Sequence, residues 1–223
     1  MSSYKVAQLA IQAGVKKILY ASSGSVYGIK KEKKVTENLE LVPISTYNKT
    51  KMIAERVFMS FSKDIKIYCI RPATVCGLSS RMRFDLTVNM LTLQALKNNK
   101  ITVFGGNQVR PNIHIADLIE VYYFFIRHPK APPGFYNAGF ENLKVSTIAK
   151  IISSKTGAKI VYSKSNDIRS YRQDSSKLIK LGFQKMYGVE NAIDEIIESF
   201  KQKKLKIYPS CYTVSWMKKK KIK

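Results

Sequence analysis

Tyr47 and Lys51 stand four residues apart in the run Ser45-Thr46-Tyr47-Asn48-Lys49-Thr50-Lys51, a spacing that sets a phenol and an ammonium on one face of a helix. A cation beside a phenol favours the phenolate, so this pair is suited to accept and return a proton near neutral pH. The same two residues also suit an ordinary helix surface, and their context has to decide.

That context lies upstream, in Lys17-Ile18-Leu19-Tyr20-Ala21-Ser22-Ser23-Gly24-Ser25-Val26-Tyr27-Gly28. An apolar run stops abruptly in small hydroxyl residues and glycine, which reads as a buried strand ending in a loop. Ligands of parallel α/β sheets bind beyond the carboxyl ends of the strands, so Ser22 and Ser23 are placed to meet one. On its own the segment is equally a serine-rich turn.

Together the two segments resemble the extended short-chain dehydrogenase/reductase family, in particular its NAD-dependent epimerase/dehydratase branch of nucleotide-sugar enzymes. Its pattern of a strand ending in Ser-Ser, a Val-Tyr-Gly and a Tyr-x-x-x-Lys helix is matched by Ser22-Ser23, Val26-Tyr27-Gly28 and Tyr47 to Lys51. Further matches follow in the family's order: Ile70-Arg71-Pro72-Ala73-Thr74-Val75-Cys76-Gly77, Phe104-Gly105-Gly106, Arg110-Pro111-Asn112-Ile113-His114-Ile115-Ala116-Asp117 and Phe135-Tyr136-Asn137-Ala138-Gly139. Asp167-Ile168-Arg169-Ser170-Tyr171, leading to Leu181-Gly182-Phe183, completes the set.

The resemblance implies hydride transfer at a sugar carbon with NAD or NADP. Tyr47 would be the base, Lys51 would favour its phenolate and bind the nicotinamide ribose, and Ser23 would hydrogen-bond the reacting oxygen. Ala21, Ser22, Arg71, Pro72, Ala73 and Thr74 would flank the nicotinamide. Asn89, Arg110 and Arg169 would contact a nucleotide-diphosphate sugar, the arginines through a planar, permanently charged fork. Members that dehydrate the sugar carry Asp-Glu after the catalytic hydroxyl; here those positions are Gly24 and Ser25, which disfavours elimination and leaves epimerisation or simple dehydrogenation. The resemblance also implies a homodimer formed through the Tyr47 helix and the helix before it.

The family's opening strand and Gly-x-x-Gly-x-x-Gly loop, which hold the cofactor pyrophosphate at a helix N-terminus, have no counterpart in these residues. Residues 3–14 read instead as the helix preceding the serine strand. The expectation is an N-terminally truncated or split member, complemented by a chain carrying the Gly-rich half. The fold class is α/β: the C-terminal portion of a Rossmann-type doubly wound parallel sheet plus a small α/β substrate lobe. Residues 1–140 are assigned to the partial NAD-binding domain, with an excursion to the substrate lobe over roughly 78–115, 141–210 mainly to the substrate lobe and 211–223 to a basic tail expected to be frayed and solvated.

Composition bounds the remainder. At 223 residues and 45% apolar, the chain can bury a sizeable core. No apolar run approaches the ~18 residues of a membrane-spanning helix, and a soluble, cytoplasmic protein is expected. Three cysteines without paired metal spacing suit a reducing compartment, and no metal is expected. The net charge of +24 comes mainly from scattered lysines, with two denser runs, Lys30-Lys31-Glu32-Lys33-Lys34 and Trp216-Met217-Lys218-Lys219-Lys220-Lys221. Scattered lysine favours solvated surface over a nucleic-acid groove, which leans on clustered arginine and aromatic stacking. A non-catalytic remnant and a basic nucleic-acid-associated protein remain as other readings.

Overall fold

A computed structural model describes residues 2–165 and 170–220. In chain order its elements are α1 (Ser2–Gln12), β1 (Lys17–Ala21), α2 (Thr46–Met59), β2 (Lys66–Pro72), β3 (Thr74–Cys76), α3 (Thr87–Asn98), β4 (Lys100–Phe104), β5 (Val109–His114) and α4 (Ile115–Arg127). There follow β6 (Gly134–Ala138), β7 (Glu141–Lys144), α5 (Val145–Thr156), β8 (Lys159–Ser163), α6 (Ser176–Lys180), α7 (Val189–Lys201) and α8 (Thr213–Lys219). The chain forms two compact units: Met1–Ala73, Leu118–Phe140 and Arg169–Lys185 in the first, Thr74–Asp117, Glu141–Ile168 and Met186–Lys223 in the second.

In the first unit a parallel sheet runs β1-β2-β6, with Tyr20 beside Cys69, Ala21 beside Ile70 and Ile70 beside Tyr136. The central strand β2 is buried from Ile67 to Arg71, as a strand covered on both faces must be. Ala7 of α1, Phe58 of α2 and Ile65, Ile67 and Cys69 form the core on one face. α2 starts where Ser45 accepts a hydrogen bond from the Asn48 N–H at 3.2 Å, a side-chain cap for an otherwise unsatisfied donor. Glu55 of α2 and Arg71 of β2, 1% and 2% exposed, close a bidentate pair at 2.9 and 2.7 Å. It pins the helix to the sheet.

In the second unit β3 and β5 are parallel, β5 and β7 antiparallel, and β4 and β8 a separate parallel pair. One core joins α3, α5 and α7 through Val88, Leu91, Ile148, Ile152, Ile193 and Ile197, with Ile101 and Val103 of β4. Asp117, 1% exposed, accepts the Met186 and Tyr187 N–H groups at 3.0 and 3.1 Å. His114 Nδ1 accepts the Ala116 N–H while Nε2 lies 3.2 Å from Glu195. Both side chains thus organise the start of α4.

The helix before the serine strand, that strand and the helix carrying Tyr47 and Lys51 fall where the sequence pattern put them. Three features differ. Arg169–Lys185 groups with the first unit rather than with the substrate lobe, because Gln173 and Ser175 bond Arg71 and Gly139 of that unit. The short strands β3 and β7 carry too few residues to show a period. Finally, the tail is not frayed throughout: Cys211 is 2% exposed in a cluster with Met82, Phe84, Leu93 and Ile196, and α8 follows it.

Candidate active site

The end of β1 and the first turns of α2 bring the sequence-derived residues of the first unit together. β1 stops at Ala21; the Ser22 N–H still bonds the Ile70 carbonyl at 2.8 Å, and Ser23 then caps a single 3-10 turn, Gly24–Tyr27, by accepting the Ser25 N–H at 3.2 Å. This turn exists because Gly28 follows it at φ +73°, where an added Cβ would lie 2.0 Å from the Val42 carbonyl oxygen. Only glycine fits there.

Lys51 reaches across from α2. Its Nζ donates to the Ala21 carbonyl at 2.7 Å and stands 5.2 Å from the Tyr20 ring centre and 5.8 Å from that of Tyr47. One N–H is spent on Ala21, so two remain for a ligand. Burial lowers the Lys51 pKa below the ordinary lysine value. Burial, reinforced by Glu55, Cys69 and Tyr47, pushes the Tyr20 phenol up to about 12. Tyr20 is therefore a neutral wall, whereas Tyr47, 55% exposed on the first turn of α2, is the phenol open to a substrate.

Ser23 is held by groups that the sequence reading passed over. Its Oγ lies 2.8 Å from Ser25 Oγ, and Ser25 Oγ donates to Asn48 Oδ1 at 2.8 Å. Since the single Ser25 proton goes to Asn48, Ser23 donates to Ser25, leaving a lone pair of Ser23 Oγ for an incoming donor. Asn48 neighbours Tyr47, so one helix turn fixes both the phenol and the serine. The spacing of Ser25 and Asn48 in sequence carries no signal for this.

Ser22, 4% exposed, keeps an Oγ with no hydrogen-bond partner among the described residues. Ala73, 8% exposed, donates its N–H to Ala138 O at 2.8 Å, and Pro72 ends β2. Arg71 departs from its expected place at the nicotinamide. Its guanidinium is committed to Glu55, to the Tyr27 hydroxyl at 2.8 Å and to the Glu37 carbonyl, so the side chain supports the strand rather than facing a ligand. The Tyr27 hydroxyl in turn donates to Asn137 Oδ1 at 2.8 Å.

Thr74, Asn89 and Arg110 belong to the second unit. Thr74 opens β3 beside Asn112. Asn89, 3% exposed, uses Oδ1 to accept the Gly77 N–H at 3.1 Å, which leaves its amide N–H groups as donors for other duty. Arg110 is half-buried on β5, opposite Leu143. Arg169 lies outside the described residues. No cluster of three metal-ligating side chains occurs among the described residues.

Comparison with known proteins places the chain in a family. The chain is 29% identical over 217 residues to a UDP-glucose 4-epimerase of Lactobacillus helveticus, covering 85% of this chain and 64% of that protein. It is 31% identical over 149 residues to an uncharacterized UDP-glucose epimerase of Bacillus subtilis, 65% of this chain and 46% of that one. The chain thus spans from about half to just under two thirds of these relatives. Among solved structures, a UDP-glucuronic acid 4-epimerase mutant of Bacillus cereus, in complex with a UDP-sugar analogue and NAD, superposes with a TM-score of 0.80 at 23% identity, over 90% of this chain and 66% of that one. A UDP-glucose 4-epimerase of Thermotoga maritima with UDP-glucose gives 0.80 at 24% identity, over 90% and 68%. At these identities the superpositions speak to the fold, which is that of Rossmann-type enzymes. The model of the NAD dependent epimerase/dehydratase family matches residues 1–139, and the chain belongs to that family.

Proposed function

We propose that this chain supplies the catalytic part of an NAD-dependent nucleotide-sugar epimerase. The observation that carries the reading is Lys51 Nζ, held 2.7 Å from Ala21 O beside the rings of Tyr20 and Tyr47, next to a serine whose hydroxyl has a lone pair to offer. When bound, NAD supplies an acceptor and donor of hydride at the sugar carbon.

The residues that fit it are those of the nicotinamide end: the two spare N–H groups of Lys51 suit ribose hydroxyls, and the buried Ser22 Oγ has no hydrogen-bond partner among the described residues. Tyr47 takes the proton of the sugar hydroxyl and returns it when the carbonyl is reduced. Lys51 stabilises the phenolate in the interval, and Ser23 turns its hydroxyl proton from Ser25 to the reacting oxygen when substrate is bound. Gly24 and Ser25, neither of them an acid, give no group to expel water. Asn89 through its amide nitrogen, Arg110 and Arg169 are proposed as contacts to the nucleotide diphosphate sugar.

The Gly-rich pyrophosphate loop is not in residues 1–223. Among the described residues β1 pairs on one edge only, with β2. We assign the open edge to a strand of the Gly-rich half, whether on the same polypeptide or on a partner chain. A second copy of the chain is assigned to α1 and α2, where Val6, Leu9 and Ile53 are each more than half exposed. Free, buried Cys69, Cys76 and Cys211 agree with a reducing cytoplasm.

The test is conversion of UDP-glucose to its C4 epimer, followed by NMR with added NAD, for the chain alone and with a separately expressed Gly-rich half. Turnover that falls by about 10²–10⁴-fold in Tyr47→Phe, with melting unchanged, supports the reading. Turnover indifferent to Tyr47→Phe, or no turnover of any nucleotide sugar by the complemented chain, refutes it.

A further inference from the structure

Residues 199–223 differ from the rest of the chain in charge. They hold nine of the 39 basic residues and none of the 15 acidic ones, which leaves 30 against 15 in residues 1–198. All nine are lysines. Lys201, Lys203, Lys204 and Lys206 at the end of α7, and Lys218, Lys219 and Lys220 at the end of α8, are exposed. Among the described residues none of these seven forms a salt bridge with a carboxylate.

The lysines stand on an anchored segment. Cys211 is buried, its carbonyl accepts the Phe84 N–H at 2.9 Å, and Arg81 bonds the Ser210 carbonyl and the Thr213 hydroxyl at 3.1 Å each. Tyr208, Tyr212 and Val214, 55%, 36% and 60% exposed, lie among the cations. Val214 and Lys218 are four apart on α8 and share one face. Fixed like charges repel one another, and an opposed anionic surface relieves that repulsion.

We propose that this segment is a docking surface for an anionic lipid bilayer, binding it peripherally; no described helix is long and apolar enough to cross one. Lysine point charges interleaved with interface-seeking aromatic and aliphatic groups suit a plane of lipid headgroups. A nucleic acid is read mainly by arginine, whose fork grips phosphates and bases, and no arginine follows Arg172.

The test uses the whole chain and vesicles of phosphatidylcholine with or without phosphatidylglycerol. Sedimentation reads binding, and the emission of Trp216, the only tryptophan, reports from α8 itself. The chain is expected to sediment with the anionic vesicles alone, with a change in Trp216 emission. Lys218→Gln, Lys219→Gln and Lys220→Gln together should weaken binding on the order of a hundredfold. The same substitutions at Lys30, Lys31 and Lys33 remove equal charge from the first unit and should leave most of it. The proposal is overturned if anionic vesicles leave the chain in solution, if the two triple variants lose binding equally, or if short duplex DNA at the same salt binds the segment more tightly than the vesicles do.

Discussion

The Lys51 ammonium is drawn out of water between two phenol rings, and burial lowers its proton affinity from the ordinary value of 10.5. Between the lowered value and 10.5 the unfolded chain holds more protons than the folded one, so this residue's contribution to stability rises with pH through that window. At neutral pH Lys51 therefore costs stability, a common property of groups placed for function. We expect Lys51→Met to melt at or above the wild type at pH 7, and its advantage to shrink as pH approaches 10.5. Thermal melts of both proteins at several pH values check this; an advantage that grows with pH contradicts it. Tyr47 and Lys51 were legible in the sequence because a spacing of four residues is local to one helix. Ser25 and Asn48 were not, because a contact across 23 positions is chosen by packing.

α2 is the element that turns this chemistry into geometry, since it carries Tyr47, Asn48 and Lys51 on its first turns and Glu55 on the next. The Glu55–Arg71 pair sets its distance from β2 with both partners almost fully buried. Removing one partner strands a charge in the core, so Glu55→Ala should cost about 3–5 kcal/mol in urea unfolding. A loss below about 1 kcal/mol, the range of an exposed pair, would show that the pair is open to solvent. The spacing of Tyr47 and Lys51 placed the helix correctly, yet the resemblance assigned Arg71 to the cofactor. A family position reveals where the backbone runs, whereas the direction of a long side chain depends on which buried carboxylate folds against it. The same limit applies to α8: its lysines resemble a solvated tail, and only the burial of Cys211 and the bonds from Arg81 show that the segment is held.

For the whole molecule, apolar groups left on α1 and α2 argue for a second copy of the chain. Leu9→Glu with Ile53→Glu is expected to convert a dimer to a monomer in analytical sedimentation while leaving melting nearly unchanged, since both side chains are more than half exposed. A wild type that sediments as a monomer at high concentration contradicts this assembly. The central claim, that residues 1–223 assemble the nicotinamide end of the site, is tested most directly by titrating NADH into the purified chain and following nicotinamide fluorescence. The account predicts binding that weakens about tenfold or more in Lys51→Ala and persists in Tyr47→Phe. A folded chain that binds no NADH, or one whose affinity is untouched by Lys51→Ala, would contradict it.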